Sequence, residues 1–520
     1  MTPFLARRWW NLWREACVSW GGGYVTDTAY ITGLNAGQAQ PLGALAALMC
    51  GFSARLARRD EAFAVCDIGC GMGTTALITA AANPAWRVVG LDFNPGQIAA
   101  ARALAHEAGL ENVTFLEADL RDFAETPEAR GLEDFDLITA HGVWTWVGED
   151  VQDGIVRLLG QKLKAGGMFH VSYNLLTGWQ DALGLQRLVR EAGMRLAHRG
   201  ESQAAAGLKV AQELAEAGGR VSFSGGFGKT MLERMATLPA GYIAHEMLNR
   251  HWRPVFHADV AERLADAKLE FCGSARLLTN FPQLTMGEAQ RALAEKFDDP
   301  AMLELFKDIC HAQALRSDIF LRGGRRIDRQ ARDAMLMDVT LALTAAPENW
   351  IFEFETGAGK AQMSEPYYRR VFERLSDGPA TVGELLALPD LPGRRDNPAE
   401  LIAVSIGTEQ TVALPNPGVA IDERCAKLNL ALLRAQFAGG QGASPIHFAL
   451  PCTGGGLTLP NFEGMIAHEV AANPETIDPQ EMAARLAIQQ PAAQRAALAE
   501  KLTAFFASDA PWLRHFGFSL

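Results

Sequence analysis

Asp67, Asp92 and Asp119 each close an apolar run, and His141 stands just past a fourth, which makes these four side chains the first candidates for chemistry. Asp67 sits inside Phe63-Ala-Val-Cys-Asp-Ile-Gly-Cys-Gly-Met-Gly-Thr-Thr75, ahead of Gly69, Gly71 and Gly73. Alternating glycines let a ligand touch backbone where a Cβ would hold it off. A phosphate-binding dinucleotide loop would want its third glycine one place later, at Thr74, and an acid at the strand end would repel a pyrophosphate. Asp67 instead suits an ammonium group. Asp92 follows it by about 25 residues, where doubly wound folds place the acid that bonds ribose hydroxyls.

The elements that must position these groups alternate. Phe63 to Ile68 reads as a buried strand and Thr74 to Ala82 as the helix after it. Trp86 to Asp92 is a second strand, and Asn94-Pro95 punctuates a helix start followed by apolar Ile98, Ala101, Leu104 and Ala105. Val113 to Asp119 is a third strand and Phe135 to Ala140 a fourth. A helix near Glu149 to Leu163 and a turn at Lys164 to Gly167 lead into a fifth strand, Met168 to Tyr173. This order predicts an α/β, Rossmann-like fold with a doubly wound, mostly parallel sheet.

The glycine turn and the acids in series resemble the class I S-adenosylmethionine-dependent methyltransferases. The resemblance implies S-adenosyl-L-methionine as cofactor, with Asp67 on the methionyl ammonium, Asp92 on the ribose and Asp119 accepting from the adenine amino group. It extends cofactor contact to Gly69, Cys70, Gly71, Gly73, Phe93, Leu120 and His141. Two loops narrow the family further. The fourth strand continues into His141-Gly-Val-Trp-Thr-Trp-Val147, and the fifth ends in Ser172-Tyr-Asn-Leu-Leu-Thr-Gly-Trp179. These are similar to a bacterial methyltransferase family with an appended regulatory domain, which usually shows His-Gly-Val-Tyr-Ser-Trp-Val and Ser-Tyr-Asn-Thr-x-Pro-Gly-Trp there. This chain departs from that pattern at Trp144, Thr145, Leu175 and Thr177. Tyr24, Tyr30 and Pro41 are similar to the family's N-terminal segment. His245-Glu-Met-Leu-Asn-Arg-His-Trp-Arg-Pro254, Phe256, Asp259-Val260 and Cys272-Gly-Ser-Ala275 are similar to its regulatory domain. Family members include protein lysine methyltransferases acting on bacterial outer-membrane proteins, so a protein lysine acceptor is what the resemblance implies.

Length suggests about three domains. We expect an N-terminal helical lid or substrate segment over 1–62, a cofactor-binding core over 63–183 and a mainly helical regulatory domain over 184–345. An α+β region with a winged-helix-like module is expected over 346–520. Met1 to Trp20 carries Arg7, Arg8 and Arg14 among Trp9, Trp10, Trp13 and Trp20. It reads either as an amphipathic helix on a membrane or as a helix packed over the cofactor, and not as a signal peptide. The middle region has a Gly-rich interruption at Gly218 to Gly228. Later, Tyr367 to Leu375 and Thr381 to Ala387, joined by Asp377-Gly-Pro379, read as two helices around a tight turn. That pair resembles a winged helix, expected to pack or to form a dimer contact rather than to read DNA, so a homodimer is one expectation. Pro445 to Pro460 reads as loop, and Ala492 to Phe506 as a closing helix.

With 48 Lys and Arg against 60 Asp and Glu, the net charge of -12 argues against a nucleic-acid partner. No run is long enough to span a bilayer. Eight scattered cysteines suit a reduced cytoplasm, and Cys66 and Cys70 read as small packing residues. No metal is implied. A zinc helix would need its second imidazole at position 249, which is Asn.

Methyl transfer is an in-line displacement, so the enzyme supplies alignment, a dry pocket and a neutral nucleophile. Trp144, Trp146, Tyr173 and Trp179 could form that pocket, with Trp144 and Trp146 reading equally as core, and Tyr173 and Asn174 could orient an amine through side-chain oxygens. Burial among aromatic rings helps a lysine, ordinarily titrating near 10.4, to lose its proton. His141 either takes or relays that proton, or fixes its loop. No Asn- or Asp-Pro-Pro-aromatic sequence follows the fourth strand, which speaks against adenine and glutamine acceptors. Two other readings stay open: a small-molecule O- or N-methyltransferase, and a regulatory or scaffold protein that senses the cofactor.

Overall fold

Residues Ala64 to Ile68 are buried without alternation, as a strand covered by helices on both faces requires. This strand, β1 (Phe63–Ile68), is an interior strand of a seven-stranded sheet in the computed structural model of the chain. The structure describes residues 22–26, 33–219, 226–311, 313–393, 395–438, 444–472, 478–486, 492–508 and 513–516. The helix expected over Met1 to Trp20, Tyr30, and part of the Gly-rich interruption lie outside the described residues.

The sheet runs β3-β2-β1-β4-β5-β7-β6. Its members are β2 (Trp86–Asp92), β3 (Val113–Glu117), β4 (Phe135–Ala140), β5 (Leu163–Asn174), β6 (Leu269–Ser274) and β7 (Leu315–Arg322). The first five are parallel, whereas β7 pairs antiparallel with β5 and β6 antiparallel with β7. Helices α1 (Gln40–Met49), α2 (Thr74–Ala82), α3 (Pro95–Ala108) and α4 (Glu149–Lys162) belong to this layer structure. Asn94 caps α3 by accepting from the Gly96 N–H, and Gly109 ends it in the left-handed conformation. The Rossmann-like, mostly parallel expectation holds.

Three details differ from the sequence reading. Strand β3 stops at Glu117, leaving Asp119 in the following loop. The turn expected at Lys164 to Gly167 is an irregularity within β5, where the register against β4 shifts between Phe135 and Leu137. The region expected to be mainly helical also contributes β6 and β7 to the sheet. Strand β7 escaped notice because Arg316 and Asp318 stand in its middle; both are buried and satisfy each other there.

The chain forms two compact units. The larger takes 33–144, 149–175 and the described residues from Val255 onward. One apolar core within it joins Leu45, Leu77, Phe115 and Ile319 to Phe372, Leu385 and Ile402. The C-terminal part adds an antiparallel three-stranded sheet, Ala380–Thr381, Thr340–Leu343 and Thr411–Ala413, with helices Glu365–Ser376, Val382–Leu386 and Pro398–Gly407. Pro445 to Pro460 is not a loop but a hairpin, Ile446–Leu450 against Gly455–Leu459, turned at the left-handed Gly454. Arg59 pairs with Asp422 at 2.6 Å, and Asn83 donates to the Gly454 carbonyl at 2.9 Å, so this C-terminal part is fastened to the cofactor-side layer.

The smaller unit takes 22–26, Thr145–Gly148 and the described part of Leu176–Pro254. Helices α5 (Leu183–Leu196), α6 (Gly200–Glu216) and α7 (Ala240–Leu248) form its core. A Cβ at Gly207 would collide with the Val189 carbonyl, so α5 and α6 approach closely only because that position is glycine. Among the described residues no helix is long and apolar enough to cross a membrane.

Candidate active site

The turn after β1 holds three glycines at positive φ, +68° at Gly69, +57° at Gly71 and +79° at Gly73, a region that side chains rarely enter. They serve different ends. A Cβ at Gly73 would meet the Phe115 ring at 2.6 Å, and one at Gly69 would collide with Val143. At Gly71 the nearest atom is Gln97 Oε1 at 3.6 Å, so its missing side chain leaves open space. The turn is pulled toward β2: Gly69 and Cys70 donate N–H to the Leu91 carbonyl at 2.7 and 3.0 Å. Gly71 N–H donates to Asp92 Oδ2 at 2.8 Å, and Asn94 N–H to Asp92 Oδ1 at 2.8 Å. Burial raises the Asp92 carboxyl above its ordinary range, against the N–H groups of Asn94, Gly71 and Phe93. Three N–H donors leave the carboxylate one lone pair for a hydroxyl donor.

Asp67 is buried with its Oδ1 accepting from Gln38 Nε2 at 2.8 Å and Thr139 Oγ1 at 2.7 Å. Burial pushes its carboxyl up to about 6, only partly offset by those two bonds, and the nearby Asp92 charge adds to the rise. Both donors are neutral, so a buried carboxylate stands here without a cationic partner among the described residues. Gln38, Thr139, Asn35 and Thr75 line a cavity with Asp67, walled by Val65, Trp86 and Leu137 and closed by Gly454 to Gly456 of the C-terminal hairpin. The sequence reading missed Gln38, Asn35 and Thr139. Thr139 was findable, because it lies opposite Asp67 in the β1–β4 register; Asn35 and Gln38 carry no pattern beyond a polar turn.

Asp119 and Leu120 follow β3. The Arg121 guanidinium spans the Asp119 carboxylate, Nε to Oδ1 at 3.0 Å and Nη2 to Oδ2 at 2.5 Å, and holds its carboxyl below the ordinary range. A ligand amino group would share that carboxylate with Arg121. The Leu120 carbonyl packs so tightly under α4 that a Cβ at Gly154 would collide with it. Phe93 is half-buried beside Asp92.

His141 follows β4 directly and is half-buried. Its Nε2 faces the Asn35 side-chain amide, its Nδ1 is buried without a partner, and its ring stacks on His170 at 6.1 Å. An Asn35 N–H donated to Nε2 leaves the neutral ring's proton on Nδ1. Burial, aided by the Arg276 charge, lowers its pKa to about 4, so the ring is uncharged near neutral pH. Gly142 N–H donates to Ser172 Oγ at 2.9 Å, tying the end of β4 to the end of β5.

The aromatic candidates separate. Trp144 and Tyr173 belong to the larger unit and are 2 % and 0 % exposed. The Tyr173 hydroxyl donates to Asp318 Oδ2 at 2.5 Å, which, after burial, keeps its pKa well above the ordinary value. Neither residue is an open pocket wall within that unit. Asn174 is buried at the strand end, its carbonyl accepting from Val255 N–H at 3.0 Å. Trp146 and Trp179 belong to the smaller unit. There the Trp146 carbonyl accepts from Asn249 Nδ2 at 2.9 Å, and Trp179 meets Trp252 at 4.9 Å and Phe227 at 5.1 Å.

The cofactor-side residues fit a cationic ribonucleoside: open space at Gly71, a buried carboxylate without a cation at Asp67, and a turn-fixing carboxylate at Asp92. Comparison with known proteins agrees. Residues 66–169 match a family model described as a methyltransferase domain, and residues 239–322 one described as a predicted methyltransferase regulatory domain. An uncharacterised protein of Synechocystis sp., sll1526, is 30% identical over 369 residues, 71% of this chain and 72% of its own length. A tRNA (guanine-N(7)-)-methyltransferase of Yersinia enterocolitica is 33% identical over 124 residues, 23% of this chain and 50% of its own. The solved structure of PKMT2 from Rickettsia typhi in complex with AdoHcy shares the fold, with a TM-score of 0.68 over 94% of this chain and 99% of that one at 15% identity. The cofactor is S-adenosylmethionine. With both domain models matched in order and a relative 30% identical along most of the chain, the protein belongs to the class I S-adenosylmethionine-dependent methyltransferases that carry a methyltransferase regulatory domain.

Proposed function

We propose that this enzyme methylates the side-chain nitrogen of a lysine in a protein. The observation that carries the reading is the aromatic cluster beside the second loop. Trp179, Trp252 and Phe227 meet near edge-to-face, at 73° and 75°; Trp179 and Trp252 are themselves buried, at 5 % and 8 % exposure, and Trp252 Nε1 has no partner there. Aromatic rings hold an ammonium before and after methylation by cation-π attraction, and burial among them favours the neutral amine. The loop resemblance to protein lysine methyltransferases and the fold shared with PKMT2 support the same acceptor.

When bound, S-adenosylmethionine supplies an electrophilic methyl group on a sulfonium. In this reading Asp67 holds its ammonium, Asp92 its ribose, and Asp119 and Leu120 its adenine side, with Gly69, Cys70, Gly71, Gly73 and Phe93 shaping the bed. His141, uncharged near neutral pH, takes or relays the proton of the incoming lysine; its lowered pKa makes it a weak base. Alignment and exclusion of water therefore supply most of the acceleration. Asn174 orients the amine, Trp146 walls the approach, and Trp144 and Tyr173 act from within the core. Asn35 and Gln38, from the segment expected over 1–62, line the Asp67 cavity beside the cofactor, and the domains expected at 184–345 and 346–520 grip the acceptor protein. A cytoplasmic location belongs to this reading, supported by the acidic balance and the scattered thiols.

The test is to incubate the full chain with methyl-labelled cofactor and a bacterial outer-membrane protein fraction, then to separate protein from small molecules. Label on protein is expected. Label only among small molecules would establish the small-molecule methyltransferase instead, and cofactor binding without transfer to either would establish the sensor.

A further inference from the structure

The larger unit clamps the exits of both acceptor-side loops with one short helix, α8 (His257–Ala265). The chain leaves that unit after Trp144 and again after Leu175, and re-enters it at Val255. The first exit is held by Gln152, whose Nε2 donates to the Trp144 carbonyl at 2.7 Å and whose Oε1 accepts from Arg263 Nη1 at 2.5 Å. Arg263 also pairs with Asp153 at 3.0 Å. The second exit is held by Tyr173: its hydroxyl lies 2.9 Å from His257 Nδ1, and both groups converge on Asp318 Oδ2, at 2.5 and 3.0 Å. The re-entry is held against the second exit by Val255 N–H donating to the Asn174 carbonyl, and by Ala314 accepting from Leu175 N–H at 3.0 Å.

Asp318 is itself fixed. Arg316 Nε donates to it at 2.9 Å, while the other guanidinium nitrogens reach Asp308 and Glu304, each at 2.7 Å, and Lys307 closes the set on Glu304 at 2.8 Å. Burial works against charge on Asp318, yet Arg316 and then His257 hold its carboxyl below the ordinary range. A buried ionic network of this kind, satisfied here except at Asp308 Oδ2, adds little net stability against an apolar core, but it admits few alternative geometries. The network reaches the second exit through Tyr173, and through His257 it holds the start of α8, the helix whose Arg263 reaches the first exit by way of Gln152.

We infer that His257, Arg263 and Asp318 are positioning residues for the methyl acceptor, fixing where the loops bearing Trp146 and Trp179 leave the larger unit. The inference rests on the reading that those loops receive the acceptor. The regulatory segment thus sets acceptor alignment without touching cofactor, which separates its effects from those of the glycine turn.

The experiment uses the full chain with Arg263→Gln, Arg263→Lys and Tyr173→Phe. Arg263 is partly exposed and Tyr173→Phe keeps the ring, so all three should fold. Hydrogen exchange needs no acceptor: segments 141–148 and 172–179 are expected to exchange about tenfold faster in Arg263→Gln and Tyr173→Phe, with Arg263→Lys restoring part of the protection. Segment 67–73 and the calorimetric affinity for S-adenosylmethionine stay unchanged, while methyl transfer to the outer-membrane protein fraction falls about tenfold. Unchanged exchange in the two loop segments overturns the clamp itself. Faster exchange with undiminished transfer overturns the inference through its premise, showing that the loops do not align the acceptor.

Discussion

Replacing Asp67 by Asn should make the cofactor-free protein more stable while removing its grip on the cofactor. The carboxyl is raised from 3.8 to about 6, burial being the main cause. Its folded state therefore binds a proton more readily than the unfolded chain. The stabilising contribution of protonated Asp67 is present below about pH 4 and is lost as pH rises through about 6. A shift of about two units corresponds to about 3 kcal/mol, the ceiling on what the buried charge costs at neutral pH. Asn keeps a carbonyl oxygen to accept from Gln38 and Thr139, so both bonds at Oδ1 survive. Urea unfolding without cofactor should show Asp67→Asn more stable than wild type by up to about 3 kcal/mol near pH 7.5, the difference vanishing below about pH 4. Calorimetry near pH 7.5 should show the affinity for S-adenosylmethionine reduced by about 100-fold, because a buried ammonium would lose its counter-charge. An Asp67→Asn protein that is less stable near pH 7.5, or that binds the cofactor undiminished, would refute this reasoning.

Other outcomes follow from the same geometry. Gly73→Ala should cost about 2–5 kcal/mol of stability, through left-handed strain plus collision with Phe115, whereas Gly71→Ala should cost only about 1–2 and instead weaken cofactor binding. Denaturant titration and calorimetry on the two variants separate packing from ligand space. His141→Ala should lower turnover and keep cofactor affinity, and because its pKa is held to about 4, wild-type turnover should show no inflection from His141 between about pH 5.5 and 8. Gly456→Val should weaken cofactor binding from a distance, since a side chain there would collide with the Phe448 carbonyl across the hairpin and with Ile78, and would meet Leu34 at 3.0 Å on the wall of the Asp67 cavity. Unaltered affinity in a folded Gly456→Val protein would detach the C-terminal hairpin from the cofactor site.

The parallel half of the sheet was legible because its strands are apolar along their length and end in acids and glycines, a pattern set by burial on both faces. Strand β7 was not, since Arg316 and Asp318 look solvent-facing until Asp308, Glu304 and Tyr173 are brought around them. Asn35 and Gln38 were invisible for a similar reason: their meaning depends on Asp67 and His141, far away in sequence. The hairpin at Ile446–Leu459 resembled a loop because its glycines and threonines gain strand character only by pairing with each other and pressing on α2. Asp119 was legible as an acid after a strand, but nothing local announced that Arg121 would occupy it.

Methyl transfer from S-adenosylmethionine to a lysine nitrogen is read out by mass spectrometry of protein labelled by the full chain. The expected result is a base-stable methyl located on lysine Nζ, absent when Asp67→Asn replaces the wild type. A base-labile methyl ester on a carboxylate, or protein left unlabelled while a small molecule gains the methyl, would contradict it.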